Sequence, residues 1–447
     1  MFGLGFLWVL VGEFCVLADA LEDTILCYAP DTSFFRSHDS EASWRYFLSI
    51  FPLIKELHME TRRFELLQRI SDFMFSSFQW TTAHDPSSQA PQMQSLIVDI
   101  LEYQRTHHPL YGRYCALHGR TTRGASLLDY PPLPVESFKR ADLCPFDPTL
   151  NVAEFRSSGT TEGVKSIHRF RDLTLLQKSI TYAFTELISR VMPAGMRFFS
   201  LMPSSENNPH SSLGYMLSFF VQCFGGPGSD FFFTLEHGLD VDRLCDALQQ
   251  AQDEGVAVHL MGPAFSYVEL LDRLGDRTFS CAPGSRLLET GGYKGRVREV
   301  PKSELRDALS ARLGIPRRAI YGEYGMCELT SQGYEICHLN TGDPLPDEGL
   351  FIFPAWLKCL VFNPESMAPV LPGHAGQIGF FDACNLDSAA YILTGDLGTM
   401  IALPDELQNR LPGKPKYALK LHGRAPDAVP KGCSMSWDEW ARHVNRG

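Results

Sequence analysis

Residues 241–275, VDRLCDALQQAQDEGVAVHLMGPAFSYVELLDRLG, read as helix, strand, helix. The amphipathic run VDRLCDALQQAQDEG closes on Gly255, the apolar run VAVHLMG follows at once, and FSYVELLDRLG closes on Gly275. A glycine just past a helix supplies the left-handed residue that a C-terminal cap wants. Outward from this stretch the alternation continues. The apolar runs RFFSLMP (197–203), FFFTL (231–235), SRLLETGGY (285–293) and RAIYGEYG (318–325) are interleaved with LTLLQKSITYAFTELISRVM (173–192) and KSELRDALSARLG (302–314), the latter closing on Gly314. Strands alternating with helices predict an α/β fold with layered, mostly parallel sheets.

With 447 residues, 44% of them hydrophobic, the chain has the composition of a globular protein that can bury one large core or several ordinary ones. A formal charge of −12 without a dense Lys/Arg run argues against a nucleic-acid partner. The 12 cysteines are scattered from Cys15 to Cys433 with no CxxC pair, so they read as reduced thiols of a cytoplasmic protein rather than a disulfide framework or a zinc site. The first 20 residues, MFGLGFLWVLVGEFCVLADA, carry an apolar run and an Ala18-Asp19-Ala20 step, but no cation precedes Arg36. Glu13 and Asp19 interrupt a run already too short for a membrane span. An export signal, a buried helix and an over-extended start, with Met59, Met74 or Met93 opening a shorter chain, all remain open; the cytosol and no stable membrane span are the expectation.

The polar stretch TTAHDPSSQAP (81–91) reads as a linker, which divides the chain into an N-terminal extension at 1–92, helical or partly disordered, a main domain at 93–415 and a short tail at 416–447. In the main domain, Ser157-Ser158-Gly159-Thr160-Thr161-Glu162-Gly163-Val164-Lys165-Ser166 packs five hydroxyls, two glycines and a lysine into ten residues. Glycines admit close backbone approach, N–H and hydroxyl groups donate, and Lys165 adds charge, so the loop can wrap a polyphosphate; a plain Ser/Gly-rich surface turn has the same letters. Its spacing is not that of a Walker A loop.

Three further stretches follow in order: Tyr324-Gly325-Met326-Cys327-Glu328, Thr394-Gly395-Asp396, and Gly423-Arg424 with Asp427. Together the four resemble the adenylate-forming superfamily of acyl-CoA synthetases, firefly-type luciferases and peptide-synthetase adenylation domains. The resemblance implies ATP and Mg2+ as cofactors. It gives Ser157, Ser158, Gly159, Thr160, Thr161 and Lys165 to the phosphates, Glu328 to magnesium, and Tyr324 and Gly325 to the adenylate. Asp396 falls to the ribose hydroxyls and Arg424 to the hinge of a small C-terminal domain. Cys327 stands where that superfamily has threonine. Gly291 and Gly292, about thirty residues before Tyr324, lie where it places a glycine-rich turn beneath adenine.

The wording ETGGYKGR (289–296), YGMCELTSQGY (324–334) and KGCS (431–434) most resembles the acyl-protein synthetases, the fatty-acyl-activating subunit of bacterial luminescence fatty acid reductase, over about residues 93–447. That resemblance implies a long-chain fatty acid substrate and acyl transfer to a cysteine, here Cys433. An acyl-CoA reductase-like protein partner follows from it too. Only 20 residues follow Asp427, too few for the separate domain of about a hundred residues of ordinary acyl-CoA ligases, which predicts a truncated C-terminal subdomain. Cys433 is flanked by Lys431 and Gly432, and a nearby ammonium favours the nucleophilic thiolate; an inert tail cysteine is the bland alternative. Ser436-Trp437-Asp438-Glu439 reads as a capping box that anchors the tail. His210, where the superfamily begins its acyl pocket, is placed to meet the substrate carboxylate, to cap the next helix or to hydrogen-bond in the core. Phe219, Phe220 and Phe231 to Phe233 line an acyl tunnel or simply the core. Two other functions fit the same residues, an acyl-CoA ligase of the phenylacetate type and a catalytically silent adenylate-binding subunit.

Overall fold

A computed structural model describes residues 40–78, 90–157, 164–189, 192–291, 298, 300–336, 349–411 and 413–424. The chain falls into two compact units, Met1–Leu66 and Leu67–Gly447. In the first, Arg62 pairs with Glu65 at 3.1 Å on the surface of a helix. The second takes in residues 67–92, the 93–415 stretch and the strand that opens the 416–447 stretch.

The second unit is organised by a twelve-stranded mixed sheet. Its strands are β1 (Arg197–Ser200), β2 (Asp230–Phe231), β3 (Val258–Pro263), β4 (Arg286–Thr290), β5 (Ile320–Tyr324), β6 (Gly333–Glu335), β7 (Leu350–Ile352), β8 (Leu357–Phe362), β9 (Ala375–Asp382), β10 (Tyr391–Ala402) and β11 (Tyr417–Arg424), and Leu133–Pro134 pairs with β10. The order across the sheet is β8-β9-β10-β11-β7-β6-β5-β4-β3-β1-β2. From β5 through β2 all neighbours are parallel. Every residue of β3 and β4 is buried, as befits parallel strands covered on both faces. On one face Leu244, Leu248, Val268, Leu305 and Leu309 pack from three helices against Phe199, Leu260, Leu287 and Ile320. On the other, Phe184 of the helix Thr174–Leu187 meets Phe198 edge-on and stacks on His259.

The helices end where the sequence places them: Gly255, Gly275 and Gly314 have φ of 66°, 59° and 65°. At Gly314 an added Cβ would also meet the Phe279 carbonyl oxygen at 3.0 Å. The α/β class holds, but beyond β5 parallel pairing is confined to Leu133–Pro134 on β10. From β5 to β8 the strands of the sheet pair antiparallel. Parallel neighbours need a crossover of a dozen residues or more, whereas β5 to β6 and β9 to β10 are each joined by eight residues. Among the described residues no helix is long and apolar enough to cross a membrane.

Candidate active site

Strands β4 and β5 run parallel and end side by side, at Thr290-Gly291 and Tyr324-Gly325. Ligands of α/β sheets bind beyond the carboxyl ends of such strands, and a cavity of about 1070 Å³ opens there. Ser157, Lys165, His210 and Gly291 line it, as do Tyr324, Gly325, Glu328, Asp396 and Arg424. Four separate motifs therefore meet in one hollow. Ser158, Gly159, Thr160, Thr161, Gly292, Cys433 and the capping box at Ser436 lie outside the described residues.

The phosphate-type loop rises from a hairpin, Ala153–Arg156 paired antiparallel with Ile167–Phe170. Its base is closed twice: the Ser157 N–H donates to the Ser166 carbonyl at 3.0 Å, and the Ser166 N–H donates to Ser157 Oγ at 2.9 Å. Elsewhere in the cavity the Tyr324 hydroxyl donates to Asp396 Oδ2 at 2.7 Å, and Arg424 Nε stands 3.6 Å from Asp396 Oδ1. The pairing of β10 with β11 sets that contact, since Asp396 and Arg424 are direct partners. Burial, and then the carboxylate it touches, raises the Tyr324 phenol far above its ordinary range, so it stays a donor. Asp396 keeps carboxylate lone pairs beyond the one Tyr324 uses, and a vicinal diol can take them.

Glu328 is buried, and desolvation pushes its carboxyl above the ordinary value against the pull of Arg424 and Lys139. The segment that carries it is pinned from several sides. Thr330 and Ser331 N–H groups donate to Asp382 Oδ2 at 3.0 and 2.8 Å, and Asn385 Nδ2 donates to the Glu328 carbonyl at 2.8 Å. His168 donates from Nδ1 to the Cys327 carbonyl at 2.9 Å and accepts from Ser388 Oγ at its Nε2. Burial holds this imidazole down to about 4, so it is a neutral clamp at ordinary pH. Cys327 is itself buried and its thiol is pushed far up, first by burial and then by Glu328. His210 is exposed at the rim; its Nδ1 donates to the Glu154 carbonyl at 2.9 Å, and its own carbonyl accepts from Arg156 N–H at 2.9 Å. The cap of the following helix is Ser211, which accepts from Gly214 N–H. Of the aromatic runs, Phe233 lines the cavity with Ile180, Met202 and Met216, whereas Phe220 packs against Phe184 with ring centroids 4.2 Å apart.

Several cavity groups lie outside the four motifs. Arg306, with no exposed surface, bridges Glu289 Oε2 at 3.1 Å and Glu335 Oε2 at 2.5 Å, and Lys302 approaches Glu335 at 3.6 Å. Burial would raise the Glu335 carboxyl, but Arg306 and Lys302 outweigh it and hold it at about 2. Glu335 in turn accepts from the N–H groups of Gly322, at 2.6 Å, and Gly349. Glu289 and Lys302 present this network to the cavity. The partners come from three strands and a helix, and no local pattern announces them.

Glu323 faces the same cavity, and Gly325 leaves it room: a Cβ there would run into Glu323 Oε1. Its depth among protein atoms pushes the carboxyl from 4.5 up to about 8. Between those values the folded protein keeps a proton that the unfolded chain releases, so stability falls as pH rises, by about 1.4 kcal/mol per pH unit. Glu323→Gln has no such slope. Between pH 6 and pH 8 the variant is expected to gain about 2.5 kcal/mol on the wild type in denaturant unfolding; parallel stability curves would show that Glu323 titrates normally.

A sequence profile of the family described as Acyl-protein synthetase, LuxE, matches residues 58–441. The long-chain-fatty-acid–luciferin-component ligase of Aliivibrio fischeri is 20% identical over 394 residues, which cover 85% of this chain and 97% of that protein. Among solved structures, 2-hydroxyisobutyryl-CoA ligase in its postadenylation state shares the fold with a TM-score of 0.52 at 13% identity, over 76% of this chain and 69% of that one. ATP-bound MatB from Rhodopseudomonas palustris gives a TM-score of 0.42 at 17% identity over 61% of this chain and 48% of that one, so this chain spans about half the length of MatB it is compared with. Matched by the family profile over most of its length and built on the α/β fold of adenylate-forming ligases, the chain belongs to the acyl-protein synthetase family, LuxE.

Proposed function

We propose that this protein activates a long-chain fatty acid with ATP as acyl-AMP, passes the acyl group to its own Cys433, and hands it to an acyl-CoA reductase-like partner in the cytoplasm. The observation that supports this most is the convergence of Asp396, Tyr324, Arg424, Glu328 and the base of the Ser157–Ser166 loop on one cavity with an apolar wall at Ile180, Met202 and Met216. The carboxylate oxygen attacks the α-phosphorus in line, the bond to the β-phosphate oxygen breaks, and pyrophosphate leaves. Thr160, Thr161 and Lys165 carry the phosphate charge, and Asp396 holds the ribose hydroxyls. Mg2+ is usually bound through one or two carboxylates plus substrate phosphates, a demand that Glu328 meets; the ion supplies charge neutralisation. Adenylation needs positioning and charge stabilisation rather than a general base. The Cys433 thiolate then attacks the acyl carbonyl, AMP departs and a thioester remains.

Radiolabelled pyrophosphate should exchange into ATP only when fatty acid is present, and acids of graded chain length should leave a hydroxylamine-labile acyl label on the protein that Cys433→Ala removes. Absence of exchange with every acid sinks the ligase, and a label retained in Cys433→Ala reassigns the acceptor. Release of acyl-CoA without a protein-bound label makes it a CoA ligase, the activity of its fold neighbour. ATP binding without exchange makes it a silent binding subunit.

A further inference from the structure

The stretch Leu133–Arg140 belongs to none of the four motifs, yet it is built into the same hollow. Leu133–Pro134 pairs in parallel with Ile392–Leu393 of β10, and the Val135 N–H donates to the Leu393 carbonyl at 2.9 Å. Beyond this pairing β10 runs on within the sheet to Asp396, while the other chain turns off to Glu136 and Lys139, which both line the cavity. The short helix Ser137–Arg140 is fastened there by Phe138, 2% exposed, whose ring meets His168 edge-on at 5.6 Å. His168 is the residue that clamps the Cys327 carbonyl beside Glu328. The helix that carries Lys139 is thus tied by a chain of packed groups to the segment that carries Glu328, and both residues line the cavity.

Among the described residues no carboxylate lies within ion-pair distance of the Lys139 ammonium, whereas Arg424 stands by Asp396 and Arg306 is bracketed by Glu289 and Glu335. Glu136 feels its charge, but burial pushes that carboxyl upward, so it is no firm counterion. A half-buried cation without a fixed partner costs folding free energy. An arriving anion supplies the missing partner.

We propose that Lys139 is a catalytic residue of acyl adenylation, its ammonium contacting the α-phosphate of ATP and neutralising the charge that gathers there as the substrate carboxylate displaces pyrophosphate. The inference rests on the adenylation reading. It adds a cation to the cavity that Lys165 also lines, from a segment that precedes the phosphate-type loop. Bond making and breaking are those of adenylation; Lys139 gives up no proton and only donates hydrogen bonds.

The test compares fatty-acid-dependent ATP–pyrophosphate exchange in the full-length wild type, Lys139→Met, Lys139→Arg and the exposed neighbour variant Arg140→Met. Lys139→Met should lose about 100-fold in kcat, the scale for removing one preorganised donor from a developing charge. KM for ATP should stay within about threefold, because the contact strengthens in the transition state. Lys139→Arg should recover to within about tenfold of wild type, and Arg140→Met should match wild type. Wild-type kcat in Lys139→Met overturns the assignment. So does an equal loss in Lys139→Arg accompanied by a lowered thermal midpoint in both, which is the signature of packing. A wild type that exchanges with no acid removes the adenylation reading and Lys139 with it, an outcome distinct from an active wild type and an indifferent Lys139→Met.

Discussion

Asp396→Ala is expected to lower kcat/KM for fatty-acid-dependent ATP–pyrophosphate exchange about 10³-fold, with most of the loss in KM for ATP. The carboxylate accepts from the Tyr324 hydroxyl at 2.7 Å and faces Arg424 Nε at 3.6 Å, so it is fixed before any nucleotide arrives. Hydrogen bonds to a charged group contribute about 1.5–3 kcal/mol each, and a diol makes two, which together correspond to roughly 10²–10⁴ in affinity. On the proposed reading that contact is made in the ground state as well as the transition state, so its loss raises KM more than it lowers kcat. Asp396→Asn keeps the shape and one acceptor oxygen but not the charge, and should fall between wild type and Ala. Tyr324→Phe removes the donor that orients the carboxylate and should cost about tenfold. If Asp396→Ala keeps its KM for ATP within about threefold, the carboxylate does not hold the ribose, and the nucleotide must lie elsewhere in the cavity.

What the sequence announces here and what it hides divide along a physical line. Tyr324, Glu328, Asp396 and Arg424 stand in short stretches whose chemistry is local, so their kinship with one another could be read before any strand was paired, and the structure brings them to one cavity. The helix ends at Gly255, Gly275 and Gly314 are equally local, since each depends on one backbone conformation. The antiparallel half of the sheet is different. Apolar runs announce strands but not their directions, and turn length settles direction only once strand ends are known. His168 clamps a carbonyl 159 residues away, and Lys139 reaches the site because Leu133–Pro134 pairs with β10. Glu323 looks like an ordinary charged residue in RAIYGEYG until the strand ends of β4 and β5 enclose it. Pairings of this kind depend on register across the whole sheet, and no composition or spacing signal carries them.

The network around Arg306 shows how costly such hidden pairings are to break. Arg306 and Glu335 have no exposed surface, and Glu289 has almost none. Removing one member of a buried, hydrogen-bonded charge group leaves the others desolvated and unpaired, which costs about 3–5 kcal/mol. Arg306→Met, similar in length, should therefore destabilise the protein by about 4 kcal/mol at neutral pH in denaturant unfolding. The pH dependence fixes the cause. In the wild type Glu335 is held at about 2, so its contribution is present above its ordinary value of 4.5 and is lost only as pH falls through 2. Without Arg306 burial dominates and the carboxyl rises above 4.5, so the folded variant takes up a proton that the unfolded chain has released. The deficit should then shrink as pH falls from 7 toward 5, which packing damage alone would not do. Adding Glu335→Gln removes the stranded charge and should recover part of the loss, because contacting residues are not additive. The effect should also reach the site: Glu335 accepts from the N–H groups of Gly322 and Gly349, and Glu289 and Lys302 line the cavity. KM for ATP should rise in Arg306→Met even at temperatures where the variant is fully folded. A variant with an unchanged midpoint, or a deficit that is the same at pH 5 and pH 7, would mean that the charges are solvated after all and that β5 is held at the cavity by its sheet neighbours alone.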